Sequence, residues 1–278
     1  MIINFIKNNP FVKYFLDIRK ELALIRFQTT TQTRILQQLY KEQITEYKRE
    51  KSFPSQYEHQ TFSQNGEDGI IIEIFRRLNI SAGYFIEMGS GDGSENNTRL
   101  LLELGWSGIW IDGDKANIDI CEKNFQKFID SNRLIAQKTF ICDKNVNSVL
   151  SELNIPADIE FLSIDLDLTT HLVWEKVGLI KPKVVAIEYN GFFPDLSPWK
   201  ADLDKNKMWD GSINMGASLH TITEISNTKG YQLIGCDLTG TNAFFVLEEI
   251  ASKYFPNIDS NLYEPARPFL NNDAGHRR

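Results

Sequence analysis

Apolar positions change their rhythm twice along the chain. Between Pro10 and about Glu50, Phe11, Phe15, Ile18, Leu22 and Ile25 recur at spacings of four and three. A polar run at Thr29–Thr33 interrupts the stripe, and Ile35, Leu36 and Leu39 resume it. That period belongs to an amphipathic helix and predicts a helical arm over 1–50. The charged, proline-containing stretch EKSFPSQYE then leads into a second domain over 51–278. From Ser63 to Gly230, short apolar runs alternate with amphipathic ones. Strands are expected near Tyr84–Met88, Gly108–Asp112, Leu134–Ile141, Glu160–Asp165 and Lys183–Tyr189. Helices are expected over Glu67–Leu78, Asn97–Leu104, Ala116–Asp130, His171–Val177 and Ala217–Lys229. This alternation predicts a parallel sheet with crossover helices. Two further strands, Tyr231–Leu238 and Asn242–Leu247, are joined only by Thr-Gly-Thr. So short a link makes a hairpin, hence an antiparallel partner at one sheet edge. The tail after Ser252, with Pro256, Pro265 and Pro268, reads as irregular wrapping or a lid.

Composition narrows the partners. The 278 residues carry 30 basic and 37 acidic side chains, a net charge of −7. A broad basic face for nucleic acid is therefore not expected. The three cysteines, Cys121, Cys142 and Cys236, are far apart and form no CxxC, which disfavours zinc and disulfide frameworks and fits a reducing compartment. No run approaches the roughly 20 apolar residues that cross a bilayer. The first residues lack the unbroken apolar stretch of a signal peptide, so a cytoplasmic location is expected. The arm's stripe could pack on the main domain, pair with a second copy to make a homo-oligomer, or lie on a membrane surface. The mixed charge of its polar face favours protein over peripheral membrane contact.

The segment YFIEMGSGDGSENNT carries the most chemistry. A strand runs into Gly89-Ser90-Gly91-Asp92-Gly93 and then into a helix. Glycines there permit positive φ and close approach of a ligand to the backbone, at the strand ends where open α/β sheets bind ligands. Dinucleotide fingerprints read GxGxxG. Here the spacing is GxGxG, and acidic Glu87 stands two residues ahead of it, which suits a cationic cofactor end better than a pyrophosphate. Asp112 ends the second strand, where a carboxylate can accept both hydroxyls of a ribose. Upstream, SQNGEDG opens a helix: Ser63 can cap it, Glu67 and Asp68 suit its first turn, and Gln64 and Glu67 are also candidates to face a pocket.

A second group of acids follows. The fourth strand ends in Asp165 and Asp167 and the fifth in Glu188 and Asn190, each pair two apart and so on one side of its strand. On neighbouring strand ends these four side chains would converge. A hard divalent cation such as magnesium would relieve their repulsion, and carboxylate and amide oxygens are its preferred ligands. A helix cap is the competing role for Asp167. His171, four residues on, could remove a proton from a hydroxyl, and so could the neighbouring acids, Asp165 first. The long connection 191–215 suggests a substrate loop. Tyr189, Phe192, Phe193, Trp199 and Trp209 could stack on a sugar ring there, although each singly suits packing.

The ordered set SQNGEDGI, FIEMGSGDG, GWSGIWIDGD, FLSIDLD, VVAIEYN and GYQLIGCDLTGTNAFFV, over roughly residues 62–247, resembles FkbM-like methyltransferases. The GxGxG turn with its leading acid resembles motif I of class I S-adenosylmethionine-dependent methyltransferases. The acid cluster is similar to the magnesium sites of catechol- and macrolide-sugar O-methyltransferases, with Tyr189 standing between Glu188 and Asn190 as a departure. The resemblance implies a doubly wound, mostly parallel seven-stranded Rossmann-like sheet with an antiparallel edge hairpin. It implies S-adenosylmethionine held by Gln64, Glu87, Gly89, Ser90, Gly91, Gly93 and Asp112, with Asp143 on the adenine amino group. It implies O-methylation of a small-molecule or glycan hydroxyl. Three other readings stay open: a nicotinamide-dependent oxidoreductase, an inactive methyltransferase-like scaffold, and a metal-dependent transferase using another nucleotide.

Overall fold

The computed structural model describes residues 10–48, 55–156, 158–202, 211–256, 258 and 262–270. The chain divides into two units, Met1–Ile44 and Thr45–Arg278.

The first unit is built on one helix, α1 (Pro10–Lys48). It runs unbroken through Thr29–Thr33, where the sequence pattern lapses. The Thr31 hydroxyl donates back to the Phe27 carbonyl at 2.8 Å, so a side chain that competes for backbone partners is satisfied inside the helix. A lapse in amphipathicity therefore marks a change of surface and not a helix end.

The second unit is a seven-stranded sheet in the order β3-β2-β1-β4-β5-β7-β6. Its strands are β1 (Tyr84–Met88), β2 (Ser107–Asp112), β3 (Leu134–Lys138), β4 (Phe161–Ile164), β5 (Val184–Glu188), β6 (Tyr231–Cys236) and β7 (Asn242–Leu247). Strands β1 to β5 pair in parallel. β7 runs antiparallel to both β5 and β6, so it alone opposes the sheet and β6 takes the edge. The parallel strands are those the alternating pattern predicts, and the whole is the doubly wound, Rossmann-like arrangement that the resemblance implies. The helices are α2 (Glu67–Leu78), α3 (Arg99–Glu103), α4 (Lys115–Asn124), α5 (Gln126–Asp130), α6 (Val146–Glu152), α7 (Thr170–Lys176), α8 (Leu219–Thr228) and α9 (Glu248–Tyr254).

Alternation along the strands divides the core between two faces. Ile86, Met88, Ile109, Ile111, Leu162, Ile164, Val185 and Ile187 pack with Val146, Trp174 and Ile222 on one side. Phe85, Trp110, Phe161, Val184, Ala186, Phe244 and Val246 pack with Ile70, Ile74, Leu101 and Phe125 on the other. Strands covered on both faces read as nearly continuous apolar runs, which is why VVAI lacks a polar alternate and FLSI has only the small, buried Ser163. Cys121 and Cys236 are buried among them without disulfides. The sequence overlooks two elements, α6 and α9, and merges α4 with α5. All are short, and α4 and α5 are divided at Phe125, which closes one helix and opens the next. No helix of the described residues is long and apolar enough to cross a membrane.

Candidate functional site

The glycine turn after β1 is shaped by three different demands. Gly89, Gly91 and Gly93 have φ of 86°, 56° and 81°, the left-handed region that glycine enters at least cost. A Cβ on Gly89 would lie 1.6 Å from the carbonyl oxygen of Asp165, so glycine there lets the ends of β1 and β4 meet. A Cβ on Gly93 would strike the rings of Trp110 and Phe125 at 2.6 and 2.8 Å. A Cβ on Gly91 would meet nothing within 4 Å. The first and third glycines serve packing. The second leaves space for something else.

Beside this turn lies a cleft of about 350 Å³, at the point where strand order reverses between β1 and β4. Gln64, Glu67, Glu87, Gly89, Ser90, Gly91 and Asp165, all singled out above, line it. The sequence reading missed Ser94, Glu95, Asn96, Asn117 and Asn242, which line it too. The signal was present for three of them: Ser94, Glu95 and Asn96 form a polar run directly after the glycines, where a helix start at Asn97 drew attention. Asn242, the one polar side chain in the strand NAFFVL, carries its own hint.

The cleft holds buried polar atoms that no protein group satisfies. They are the Ser90 hydroxyl, both amide atoms of Asn96 and Oδ1 of Asn242. Folding strongly disfavours such orphans unless a ligand or water completes them. The two buried glutamates are held differently. Glu87 accepts from the backbone N–H of Asn97 (2.8 Å) and Thr98 (3.0 Å) and from the Thr98 hydroxyl. Glu67 accepts from the Asn65 N–H (2.8 Å), its amide (2.9 Å) and the Asn242 amide (2.8 Å). Burial pushes each carboxyl up to about 7 against those donors, and the nearby Asp237 adds to the rise at Glu67. Ser63 and Asp68 pair reciprocally upstream: the Ser63 hydroxyl accepts from the Asp68 N–H at 3.0 Å, and Asp68 Oδ2 accepts from the Ser63 N–H at 2.8 Å. Helix α2 itself starts after Gly66, which makes no side-chain cap.

Asp112 stands at the end of β2 as expected. Its Oδ2 accepts from the Gly91 N–H at 2.9 Å and its Oδ1 from the Asp114 N–H at 2.7 Å. It braces the turn and is not among the residues lining the cleft. Asp114 caps α4 by accepting from the Ala116 N–H at 2.8 Å. Asp143 sits in the turn before α6, and it does not line the cleft either.

The acid cluster is assembled in part. Asp165, Asp167 and Glu188 each bring a carboxylate oxygen within 4.8 Å of the other two. Glu188 is buried, and its carboxyl lies well above the usual range because of burial first and repulsion from Asp165 and Asp167 next. Asp167 adopts φ 51° and does not cap α7, whose N-cap is Thr169. Three converging carboxylates, with the Thr170 hydroxyl (3.3 Å) donating to the buried one, are a donor set that fits a hard divalent cation. Asn190 differs from expectation. Its amide donates to the carbonyls of Ile213 (2.8 Å) and Met215 (2.9 Å), and its oxygen accepts from the Phe192 N–H (3.1 Å). The side chain closes the loop that follows β5.

His171 lies inside the fold. It is 2% exposed on α7, with Nδ1 unsatisfied, and burial pushes its pKa down to about 4. Such an imidazole is neutral at pH 7 but a weak proton acceptor, and it does not line the cleft. Among the aromatic residues, Tyr189 is core and donates to the Glu264 carbonyl at 2.6 Å. Phe193 and Trp199 stack on each other at 3.8 Å. Phe192 stays half-exposed beside a small cavity of about 110 Å³ that Asn190, Thr239, Thr241 and Ala266 also line. Trp209 lies outside the described residues, as does much of the proposed substrate loop.

No protein-family model and no curated protein matches the sequence. Solved structures resemble the chain distantly. A methyltransferase from Clostridium acetobutylicum dependent on S-adenosylmethionine has 12% identity and a TM-score of 0.40, over 64% of this chain and 89% of that one. Magnesium protoporphyrin IX methyltransferase from Synechocystis, solved with S-adenosylmethionine bound, has 9% identity and 0.41, over 66% and 77%. A methyltransferase from Aquifex aeolicus has 10% identity and 0.38, over 70% and 93%. Likeness this remote carries no weight on activity, which has to be read from the site.

Proposed function

We propose that this chain is an S-adenosylmethionine-dependent methyltransferase acting on a hydroxyl of a sugar-like small molecule or glycan, assisted by a divalent cation. One observation carries the reading. Among the described residues lining the cleft, five are acidic (Glu67, Glu87, Asp92, Glu95 and Asp165) and none is basic. A pyrophosphate at this sheet edge would meet repulsion without a counter-charge, whereas a ligand bearing an ammonium and a sulfonium is attracted. The orphaned atoms of Ser90, Asn96 and Asn242 fit the polar groups of an amino-acid and nucleoside ligand.

When bound, S-adenosylmethionine supplies a methyl group on a positively charged sulfur. The open side of Gly91 allows peptide-level contact, and Asp112 holds that turn in place by accepting from the Gly91 N–H. Glu87 keeps the segment after the turn in shape through Asn97 and Thr98. Asp165, half-buried and shared between the cleft and the acid cluster, takes over the role of proton acceptor from His171. A cation at Asp165, Asp167 and Glu188 would polarise the acceptor hydroxyl. The resemblance to FkbM-like enzymes supports a sugar acceptor, and the exposed ring of Phe192 is the surface best suited to stack on one.

Titration calorimetry tests this directly. S-adenosylmethionine should bind and NADH should not, and Asp112→Ala, which releases the Gly91 N–H and loosens the turn, should weaken the former by about tenfold. Binding of NADH alone would support the oxidoreductase, and binding of neither the scaffold.

A further inference from the structure

Helix α1 carries a pattern narrower than amphipathicity. Counting Phe15 as heptad position a, the seam reads Phe15, Ile18, Leu22, Ile25, Thr29, Gln32, Leu36 and Leu39, alternating three and four residues without a slip. An ordinary helix drifts by about 20° per heptad against such a repeat, so a seam kept in strict sevens follows a supercoiled partner. Phe15, Leu22, Ile25, Leu36 and Leu39 are each more than half exposed. Two polar residues, Thr29 and Gln32, sit in mid-seam, a placement that sacrifices stability and fixes register. The flanks carry charge in a definite order. Glu21 falls at g and Arg26 at the following e. In a parallel, in-register pair Glu21 of one copy faces Arg26 of the other, twice by symmetry. An antiparallel pair sets g beside g, and the g positions of α1 (Tyr14, Glu21, Gln28, Ile35 and Glu42) include no basic residue.

We propose that α1 is the dimerisation element of this protein, pairing with α1 of a second copy as a parallel, in-register coiled coil. Sedimentation equilibrium of the full chain should show a monomer–dimer equilibrium. Glu21→Arg and Arg26→Glu should each weaken the dimer by about tenfold, since two cross-pairs turn from attractive to repulsive. The double variant should restore it. Leu39→Cys should form an interchain disulfide on mild oxidation, because a parallel pair sets residue 39 against itself far from the helix centre. A chain that stays monomeric at all concentrations overturns the proposal, and so does a double variant no tighter than the singles. A monomer that instead binds phosphatidylserine vesicles through Leu24 and Phe27, which lie off the seam, would overturn it in favour of a membrane surface.

Discussion

Glu188→Gln is expected to give a protein that is more stable than the parent at alkaline pH and binds divalent cations far more weakly. The parent buries a carboxyl against Asp165 and Asp167, with the Thr170 hydroxyl as its donor. Its pKa is raised in the folded state, so the folded chain holds a proton that the unfolded chain has already lost. Stability from this group is full below the ordinary carboxylate range and drains as pH rises through the raised value. Glutamine keeps the shape and cannot ionise. The variant should therefore match the parent in acid and exceed it by about 1–3 kcal/mol at pH 8, with the gap widening as pH rises. Cation binding should move the other way. Millimolar magnesium should raise the parent's melting temperature, most at high pH where the three acids are ionised, and affinity in the variant should fall by roughly 100-fold or more. Urea unfolding and thermal shift with and without magnesium read both effects without any acceptor substrate. Equal cation shifts in parent and variant would show that these acids are not a cation site. A variant less stable than the parent at pH 8 would show that Glu188 serves chiefly as a structural acceptor.

Opposite signs are what separate a built site from a structural motif, and they also explain what was legible in the sequence. The strands and the antiparallel edge hairpin were legible because burial on both sheet faces demands runs as apolar as VVAI, bounded by turn residues, and because a short link forces a hairpin. β1, β7 and α2 begin and end where the text predicts. The carboxylate cluster was legible for a related reason: acids at strand ends have few structural uses, and period two puts Asp165 and Asp167 on one side. The surroundings of Asn190 and His171 were not legible, because spacing places a residue at an edge without saying what it bonds to. Asn190 sits at the right edge, but the chain beyond β5 must be closed down, and a side chain with both donors and acceptors does that. His171 sits beside the acids in sequence, but α7 turns it into the interior. Asn117 was not legible at all, and Asn96 and Asn242 only as polar residues in telling places, since an asparagine's role depends on which of its atoms are left over after folding.

The glycine turn supplies the sharper test, because its three glycines should fail in different ways. Gly89→Ala forces a Cβ to 1.6 Å from the Asp165 carbonyl oxygen in a left-handed conformation. Left-handed strain and overpacking together should cost about 2–5 kcal/mol, parting the ends of β1 and β4 that frame the cleft. Gly93→Ala presses on the Trp110 and Phe125 rings and should cost a similar amount. Gly91→Ala meets no atom within 4 Å and retains only the strain of φ 56°, about 1–2 kcal/mol. In a domain of this size that lowers the melting temperature by only about 2–8 °C. Yet its methyl group would occupy the space where a ligand is proposed to lie against the peptide. Affinity for S-adenosylmethionine should then drop on the order of 30-fold to 100-fold while the protein stays folded. Calorimetry on the folded Gly91→Ala protein reads this loss, and circular dichroism confirms the fold. Undiminished affinity would mean that the ligand does not approach the backbone at Gly91, and that the free space there belongs to solvent. A loss confined to Gly89→Ala and Gly93→Ala would assign the turn to packing alone.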